Sequence, residues 1–281
     1  MPEASAKRLV LTGAANNKIV ANCWGDPDKD AVIFLHGGGQ TRHAWGQTAA
    51  RVAQSGLHAI SVDLRGHGES DWTKQYGHQD FGGDIISIVR QIGGAPILVG
   101  ASLGGISALF AEDLAGGGLC RSLVLVDIAP HPNPAGVDRI LKFMATGSKG
   151  FATLEDAADA VAGYLRERSR PKDVGGLRKN LRQRDDGRWY WHWDPEFLNS
   201  TLNERRHASH LLEQAAGRLK VPTLLVRGGT SDVLTEDGVK AFLALVPHAQ
   251  FVDIEGAGHM VAGDRNDAFT DAILSFVGGS T

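Results

Sequence analysis

Three segments of this chain hold residue types that together could carry out acyl transfer. The first is Gly100-Ala101-Ser102-Leu103-Gly104, a G-x-S-x-G motif that follows the apolar run Pro96 to Gly100 and leads into a helical pattern. A serine on such a strand-to-helix turn, a nucleophile elbow, is held in a strained backbone conformation, and the residues two before and two after it must be small so that strand and helix can approach. Its hydroxyl is a weak nucleophile at neutral pH, so it needs a general base and a further group to orient that base. The second segment supplies the base. His259, in Gly256-Ala257-Gly258-His259-Met260, alone among 11 histidines follows the last strand-like run in a glycine-flanked turn that could reach back over a sheet.

The orienting acid should follow a late strand, and two aspartates do. Asp232, in Gly228-Gly229-Thr230-Ser231-Asp232, comes after the run Thr223 to Val226 and is the preferred partner for His259. Asp127 ends the run Leu123 to Val126 and is the alternative, although an aspartate there could equally cap the following turn. An attacked carbonyl develops negative charge on oxygen and needs preorganised donors. The expected donors are the backbone N–H of Leu103, the residue after the nucleophile, and that of Gly38 in the third segment, His36-Gly37-Gly38-Gly39. Glycines there keep side chains away from the approaching carbonyl.

These segments need elements to bring them together. From Ala31 onward, short apolar runs alternate with longer amphipathic stretches, the pattern of buried parallel strands and covering helices. Strands are predicted at Ala31 to Leu35, Ala59 to Val62, Ile97 to Gly100, Leu123 to Val126, Thr223 to Val226 and Phe251 to Ile254. Helices fall near Trp45 to Ala53, Asp84 to Gln91, Gly104 to Leu114, Gly238 to Val246 and Asp267 to Val277, and Arg8 to Thr12 with Ile19 to Trp24 can form a leading hairpin. The fold class is therefore α/β, a mostly parallel sheet with helices on both faces.

The alternation stops at Pro130-His131-Pro132-Asn133-Pro134 and resumes at Val221-Pro222-Thr223. The intervening stretch is too long for a loop and has helical composition without a convincing strand. It predicts a helical cap, residues 130–216, inserted into a core domain made of 1–129 and 217–281. Trp189-Tyr190-Trp191-His192-Trp193 concentrates aromatic residues in that cap. Such clusters are usually packing anchors, but the inner face of a cap is also the ceiling of any pocket beneath it.

Composition narrows the partners. Twenty-nine basic against 32 acidic residues, net −3, gives no electrostatic reason to expect nucleic acid or an anionic membrane. Two cysteines, Cys23 and Cys120, stand in no metal or redox spacing, and no apolar run approaches a membrane span. The start of the chain lacks the apolar stretch of a secretory leader, so a soluble cytoplasmic protein is expected. The 36 glycines are not periodic and cluster in short groups, as tight turns and close backbone approaches require. No signature of oligomeric state is visible.

The chain resembles the α/β-hydrolase superfamily over nearly its whole length. The resemblance rests on His36-Gly37-Gly38-Gly39, Asp63-Leu64-Arg65-Gly66-His67-Gly68-Glu69-Ser70, the elbow at Ser102, Gly229-Thr230-Ser231-Asp232 and Gly258-His259, in the superfamily's order of serine, acid and histidine. It implies that Asp63 to Ser70 is a buried structural turn, with Asp63 and His67 outside the chemistry. It also implies a cofactor-free serine hydrolase of the carboxylesterase or lactonase type, acting on an ester, thioester or lactone, and the aromatic cluster Trp189 to Trp193 suggests that this substrate is small and apolar or aromatic. Serine at the elbow departs from epoxide hydrolases and haloalkane dehalogenases, which place aspartate there. Met260 stands where members that cleave carbon–carbon bonds typically show tryptophan. Val126-Asp127-Ile128-Ala129-Pro130 resembles a small carboxylesterase group in which that earlier aspartate serves the triad. Cofactor-free haloperoxidase-like members share the same three residues and form the alternative activity. A non-catalytic receptor or scaffold on the same fold is the alternative of another class.

Overall fold

Runs of residues buried from end to end form the strands that carry the site. The computed structural model describes residues 6–165, 170 and 173–278, apart from the side chains of 202–208. Residues 1–5, which include the start of the chain read for a leader, and 166–169 and 171–172 of the expected cap lie outside that description. The first half of the chain comprises β1 (Lys7–Thr12), β2 (Lys18–Trp24), β3 (Ala31–Leu35), α1 (Gly46–Gln54), β4 (His58–Val62), α2 (His78–Ile92), β5 (Ile97–Ala101), α3 (Leu103–Leu114) and β6 (Ser122–Val126). Between β6 and the resumption of the sheet come α4 (Pro134–Ala145), α5 (Leu154–Tyr164), β7 (Leu181–Gln183), β8 (Trp189–Trp191) and α6 (Pro195–Gly217). The chain closes with β9 (Thr223–Gly228), α7 (Glu236–Leu245), β10 (Gln250–Ile254), α8 (Val261–Asp264) and α9 (Asn266–Gly278).

Eight strands form one sheet in the order β1-β2-β4-β3-β5-β6-β9-β10. The leading hairpin β1–β2 and the β2–β4 pair are antiparallel, and every later pair is parallel. Alternate residues of each central strand point into two cores. Ile33 and Leu35 of β3 join a layer with α2, α3 and the inserted segment, whereas Val32 and Phe34 join a layer with α1 and α9. Both faces are thus covered, as expected for a parallel sheet whose strands read as continuous apolar runs. Among the described residues no helix is long and apolar enough to cross a membrane.

Two elements depart from expectation. α2 begins at His78 rather than near Asp84, with the Asp80 carboxylate accepting from Gly77 N–H at 2.9 Å to cap it. Gly82 and Gly83 interrupt the sequence pattern, yet Gly82 is the place where α2 meets α3, since a Cβ there would lie 3.3 Å from the backbone nitrogen of Ala111. The inserted segment is not purely helical either. β7 and β8 form an antiparallel hairpin, and Phe151 bridges to Trp189. The turn between those strands, Asp185-Asp186-Gly187-Arg188, puts Gly187 at φ 76° and lets Tyr190 Oη donate to Asp186 Oδ2 at 2.7 Å. An Asp-Gly turn followed by aromatic residues is a hairpin signal in its own right.

The turn after β4 is pinned from several sides. Asp63 is fully buried; its Oδ1 accepts from Arg42 N at 2.6 Å, and its Oδ2 pairs with the Arg42 guanidinium and accepts from Glu69 N. Arg65, also buried, donates Nε and Nη2 to the two oxygens of Asp84 on α2, both at 2.7 Å. Removing Asp84 would leave the buried Arg65 guanidinium with only Asp80 at 3.5 Å and the Gln75 carbonyl, and breaking such a buried pair costs about 3–5 kcal/mol. Asp84→Ala is therefore expected to lower unfolding stability by about that amount, read as a drop in urea midpoint, while a surface pair such as Lys240–Asp237 contributes about 1 kcal/mol or less.

Candidate active site

At the C-terminal end of β5 the chain turns so tightly that glycine is the residue that fits on either side of Ser102. A Cβ on Gly100 would sit 2.5 Å from the backbone of Gly104 and Gly105, and one on Gly104 would collide with the Leu35 carbonyl at the end of β3. Ser102 itself is at φ 46°, ψ −114°, a strained geometry for a residue with a side chain, held by its N–H bond to the Val126 carbonyl at 3.1 Å. α3 starts at the next residue. The elbow expected from the motif is present.

His259 is delivered by the turn after β10. Gly228 at the end of β9 allows it, because a Cβ there would collide with the Gly258 carbonyl. Gly258 N–H donates to Asp264 Oδ2 at 2.9 Å, which fixes the turn to the end of α8. His259 and Ser102 line the same cavity.

The structure pairs His259 with Asp127, not with Asp232, the partner preferred from the sequence. Asp127 Oδ2 lies 2.6 Å from His259 Nδ1, and the aspartate is fully buried. Its other donors are Gly228 N–H to Oδ1 at 3.0 Å and Ser231 Oγ–H to Oδ2 at 2.5 Å. With the carboxylate accepting throughout, the Nδ1 of His259 carries the proton and Nε2 is left as the acceptor. Asp127 reaches this place because it stands at φ 50° directly after β6, a left-handed turn that aspartate tolerates better than most residues. Asp232 faces elsewhere. Its backbone carbonyl is pressed against Gly136 of α4, and its carboxylate pairs with Arg139 Nη2 at 2.7 Å. Ser231, which the motifs did not single out, occupies the turn instead, supporting Asp127 and accepting from Val233 N and Leu234 N.

Gly37 lies beside Ser102, where a Cβ would be 3.6 Å from Ser102 Cβ. Among the described residues, neither the Gly38 N–H nor the Leu103 N–H has a hydrogen-bond partner, as donors waiting for a ligand oxygen would be. The loop that holds Gly38 is gripped by three histidines. His36 donates Nδ1–H to Gly37 O at 2.8 Å and accepts Leu64 N–H at Nε2. His67 donates Nδ1–H to Arg65 O and accepts Gly39 N–H at 3.1 Å. His192, from the inserted segment, accepts Gly68 N–H at Nδ1 at 2.7 Å and turns Nε2–H to Gly39 O at 3.3 Å. Each must be neutral to accept from a backbone amide. Burial pushes His36 down to about 4 and His67 down to about 3, and burial together with its two neighbours holds His192 well below the usual range.

The aromatic cluster divides. Trp191 and Trp193 are buried, stack on each other at 4.8 Å between ring centroids and line the cavity, so they pack and face the pocket at once. Trp189 and Tyr190 do not line it; they lie under the guanidinium groups of Arg178 and Arg184 at 4.9 and 4.0 Å.

A parallel sheet with the elbow at its C-terminal edge, a histidine after the last strand and a segment inserted after β6 define an α/β hydrolase. Residues 32–272 match the alpha/beta hydrolase family, and the chain belongs to it. Esterase Rv0045c of Mycobacterium tuberculosis is 30% identical over 86% of this chain and 80% of its own length. The sn-1-specific diacylglycerol lipase ABHD11 of Mus musculus is 28% identical over 90% of this chain and 82% of its own. Among solved structures, E-2-(acetamidomethylene)succinate hydrolase shares the fold with a TM-score of 0.84 at 24% identity, covering 98% of this chain and 99% of that one.

The histidine grip sets a pH dependence. A histidine whose folded value lies below its unfolded value leaves stability intact above about pH 6.5, and that stability is lost as pH falls toward the folded value. The urea midpoint is therefore expected to decline from about pH 6.5 toward about 4 and 3, where His36 and His67 charge. His192→Asn, which keeps an acceptor but cannot titrate, is expected to make that decline shallower in urea melts at several pH values.

Proposed function

We propose that this protein is a serine hydrolase that cleaves carboxylic esters, and by the same steps thioesters or lactones, through an acyl-enzyme. The observation that carries this reading is the His259 Nδ1 to Asp127 Oδ2 hydrogen bond of 2.6 Å, which leaves Nε2 free to act as a base in the cavity that Ser102 lines. Ser102 Oγ attacks the carbonyl carbon as its proton passes to His259 Nε2. The carbonyl oxygen, now negative, accepts from Gly38 N–H and Leu103 N–H, an interaction worth about 3–4 kcal/mol per donor in such sites. The bond to the leaving oxygen then breaks, and His259 returns the proton to that oxygen. Water enters, gives a proton to Nε2 and attacks the acyl carbon; the acid departs and Ser102 recovers its proton. Asp127 stabilises the imidazolium in both halves without itself taking a proton.

Two of the three proteins named above, an esterase and a lipase, support this chemistry. The non-catalytic scaffold reading leaves the His259–Asp127 pair and the glycine loop without a role. Ser102→Ala is expected to reduce turnover of p-nitrophenyl esters by about 10⁴-fold or more and to abolish labelling by a fluorophosphonate, with the circular dichroism spectrum unchanged. Labelling that survives would refute the nucleophile. Asp127→Asn is expected to lower kcat by about 10³- to 10⁴-fold through the wrong imidazole tautomer, whereas Asp232→Asn stays within about threefold. The reverse ranking would restore Asp232.

A further inference from the structure

The cavity has two unlike sides, and the catalytic groups determine which part of an ester lies on each. The leaving oxygen must come within hydrogen-bond reach of His259 Nε2 to receive its proton, so the alcohol portion lies on the His259 side. The residues that follow His259 in the lining are Met260 to Gly263, and α8 packs on the 3-10 turn Arg42–Trp45. That side is open. His43, Ala44 and Gly263 are exposed, and Lys179, also exposed, is close enough to His43 to influence its charge.

With the carbonyl oxygen on Gly38 and Leu103 and the leaving oxygen toward His259, the acyl substituent takes the remaining direction, into the part of the cavity beneath the inserted segment. Phe197 and Met144 lie over Gly38, where a Cβ would be 3.5 Å from Phe197 Cζ and 3.8 Å from Met144 Sδ. Beyond them the lining runs through Ile128, Leu141, Trp191, Trp193 and Leu212, all buried. Among the described residues no carboxylate and no guanidinium lines any part of the cavity, and its one ammonium, Lys179, belongs to the exposed side. The volume is about 670 Å³, well beyond what an acetyl group fills.

We propose, resting on the hydrolase reading above, that the enzyme selects its substrate by the acyl group: uncharged, apolar esters of medium or longer chain length, with the alcohol in an open mouth that discriminates little. An acyl carboxylate would meet no arginine or lysine on that side, only neutral polar groups such as Thr201 and Ser209 of α6 among apolar side chains, and is disfavoured. Each methylene added to the acyl chain transfers apolar area into the enclosed side, about 0.8 kcal/mol or fourfold, whereas a longer alcohol projects into solvent.

The test compares two series of esters by kcat/KM. With p-nitrophenol as the fixed leaving group, activity is expected to rise about fourfold per methylene from acetate until the enclosed side is filled, and a chain ending in a carboxylate is expected to fall at least about 100-fold below its neutral counterpart. With octanoate as the fixed acyl group, methyl, butyl, octyl and glyceryl esters are expected to agree within about fivefold. Val161→Trp, which adds bulk to the cap lining, is expected to lower the ratio of octanoate to acetate activity at least about tenfold. Ester hydrolysis with a flat acyl series, with a steeper alcohol series, or with an unchanged ratio in Val161→Trp overturns the acyl assignment and leaves the reaction standing. Absence of hydrolysis in both series, with Ser102 unlabelled by a fluorophosphonate, overturns the reaction and this inference together.

Discussion

The close approach of backbone to backbone at the C-terminal edge of the sheet is the constraint on which the site depends. Three strand ends, those of β3, β5 and β9, must each pass another segment with no room for a Cβ. Gly104 lies on the Leu35 carbonyl, Gly100 on Gly104 and Gly105, and Gly228 on the Gly258 carbonyl. The first two contacts seat the elbow against the strand that leads into the oxyanion loop. The third lets the His259 turn cross the end of β9. A side chain at any of these positions would displace Ser102, the Gly37-Gly38-Gly39 loop or His259, and the reaction proposed for them is sensitive to small displacements. The strain at Ser102 and the left-handed turn at Asp127 persist because the parallel strands around them are buried on both faces and cannot relax.

Polar groups behind the site solve a related problem. A glycine loop is flexible in isolation, yet an oxyanion donor must be held still before the charge develops. Here neutral imidazoles hold it. Because His36, His67 and His192 each use one nitrogen as donor and the other as acceptor, they satisfy buried amides and carbonyls together without placing a charge near Ser102. His192 also ties the inserted segment to Gly39 and Gly68, so the ceiling of the pocket and its oxyanion loop share one hydrogen-bonded unit.

The inserted segment is as much core as cover. Trp191, Trp193, Phe197 and Leu212 belong to the same apolar cluster as Ile33 and Leu35 of the sheet. Burying them against the core lines one part of the cavity with apolar side chains, while exposed residues such as His43 and Gly263 border the part beyond His259. The asymmetry arises from ordinary packing: aromatic residues concentrate on the cap, and small residues such as Ala44 and Gly263 border the mouth.

Much of this was legible in the residues alone. The apolar runs specify buried parallel strands because their length and composition suit little else, and Gly100-x-Ser102-x-Gly104 specifies an elbow because glycine spacing around a serine after a strand answers a local steric need. His259 could be chosen from 11 histidines by its position after the last strand. The acid could not be settled that way. Asp127 and Asp232 both follow strands, and what separates them is the path of each turn: φ 50° at Asp127 aims its carboxylate at β9 and His259, whereas α4 presses on the Asp232 backbone and offers Arg139 to its side chain. The β7–β8 hairpin was obscured by short strands inside a helical composition, although its Asp-Gly turn was on view. His192 and Ser231 carried no local signal, because their partners lie more than 100 residues away in the chain. Local sequence determined the strands, the tight turn at Ser102 and the place of His259, since those follow from period, length and steric fit; tertiary structure alone decided which aspartate, which serine and which histidine of the inserted segment meet them, since hydrogen bonds between distant segments exist once the chain has closed on itself.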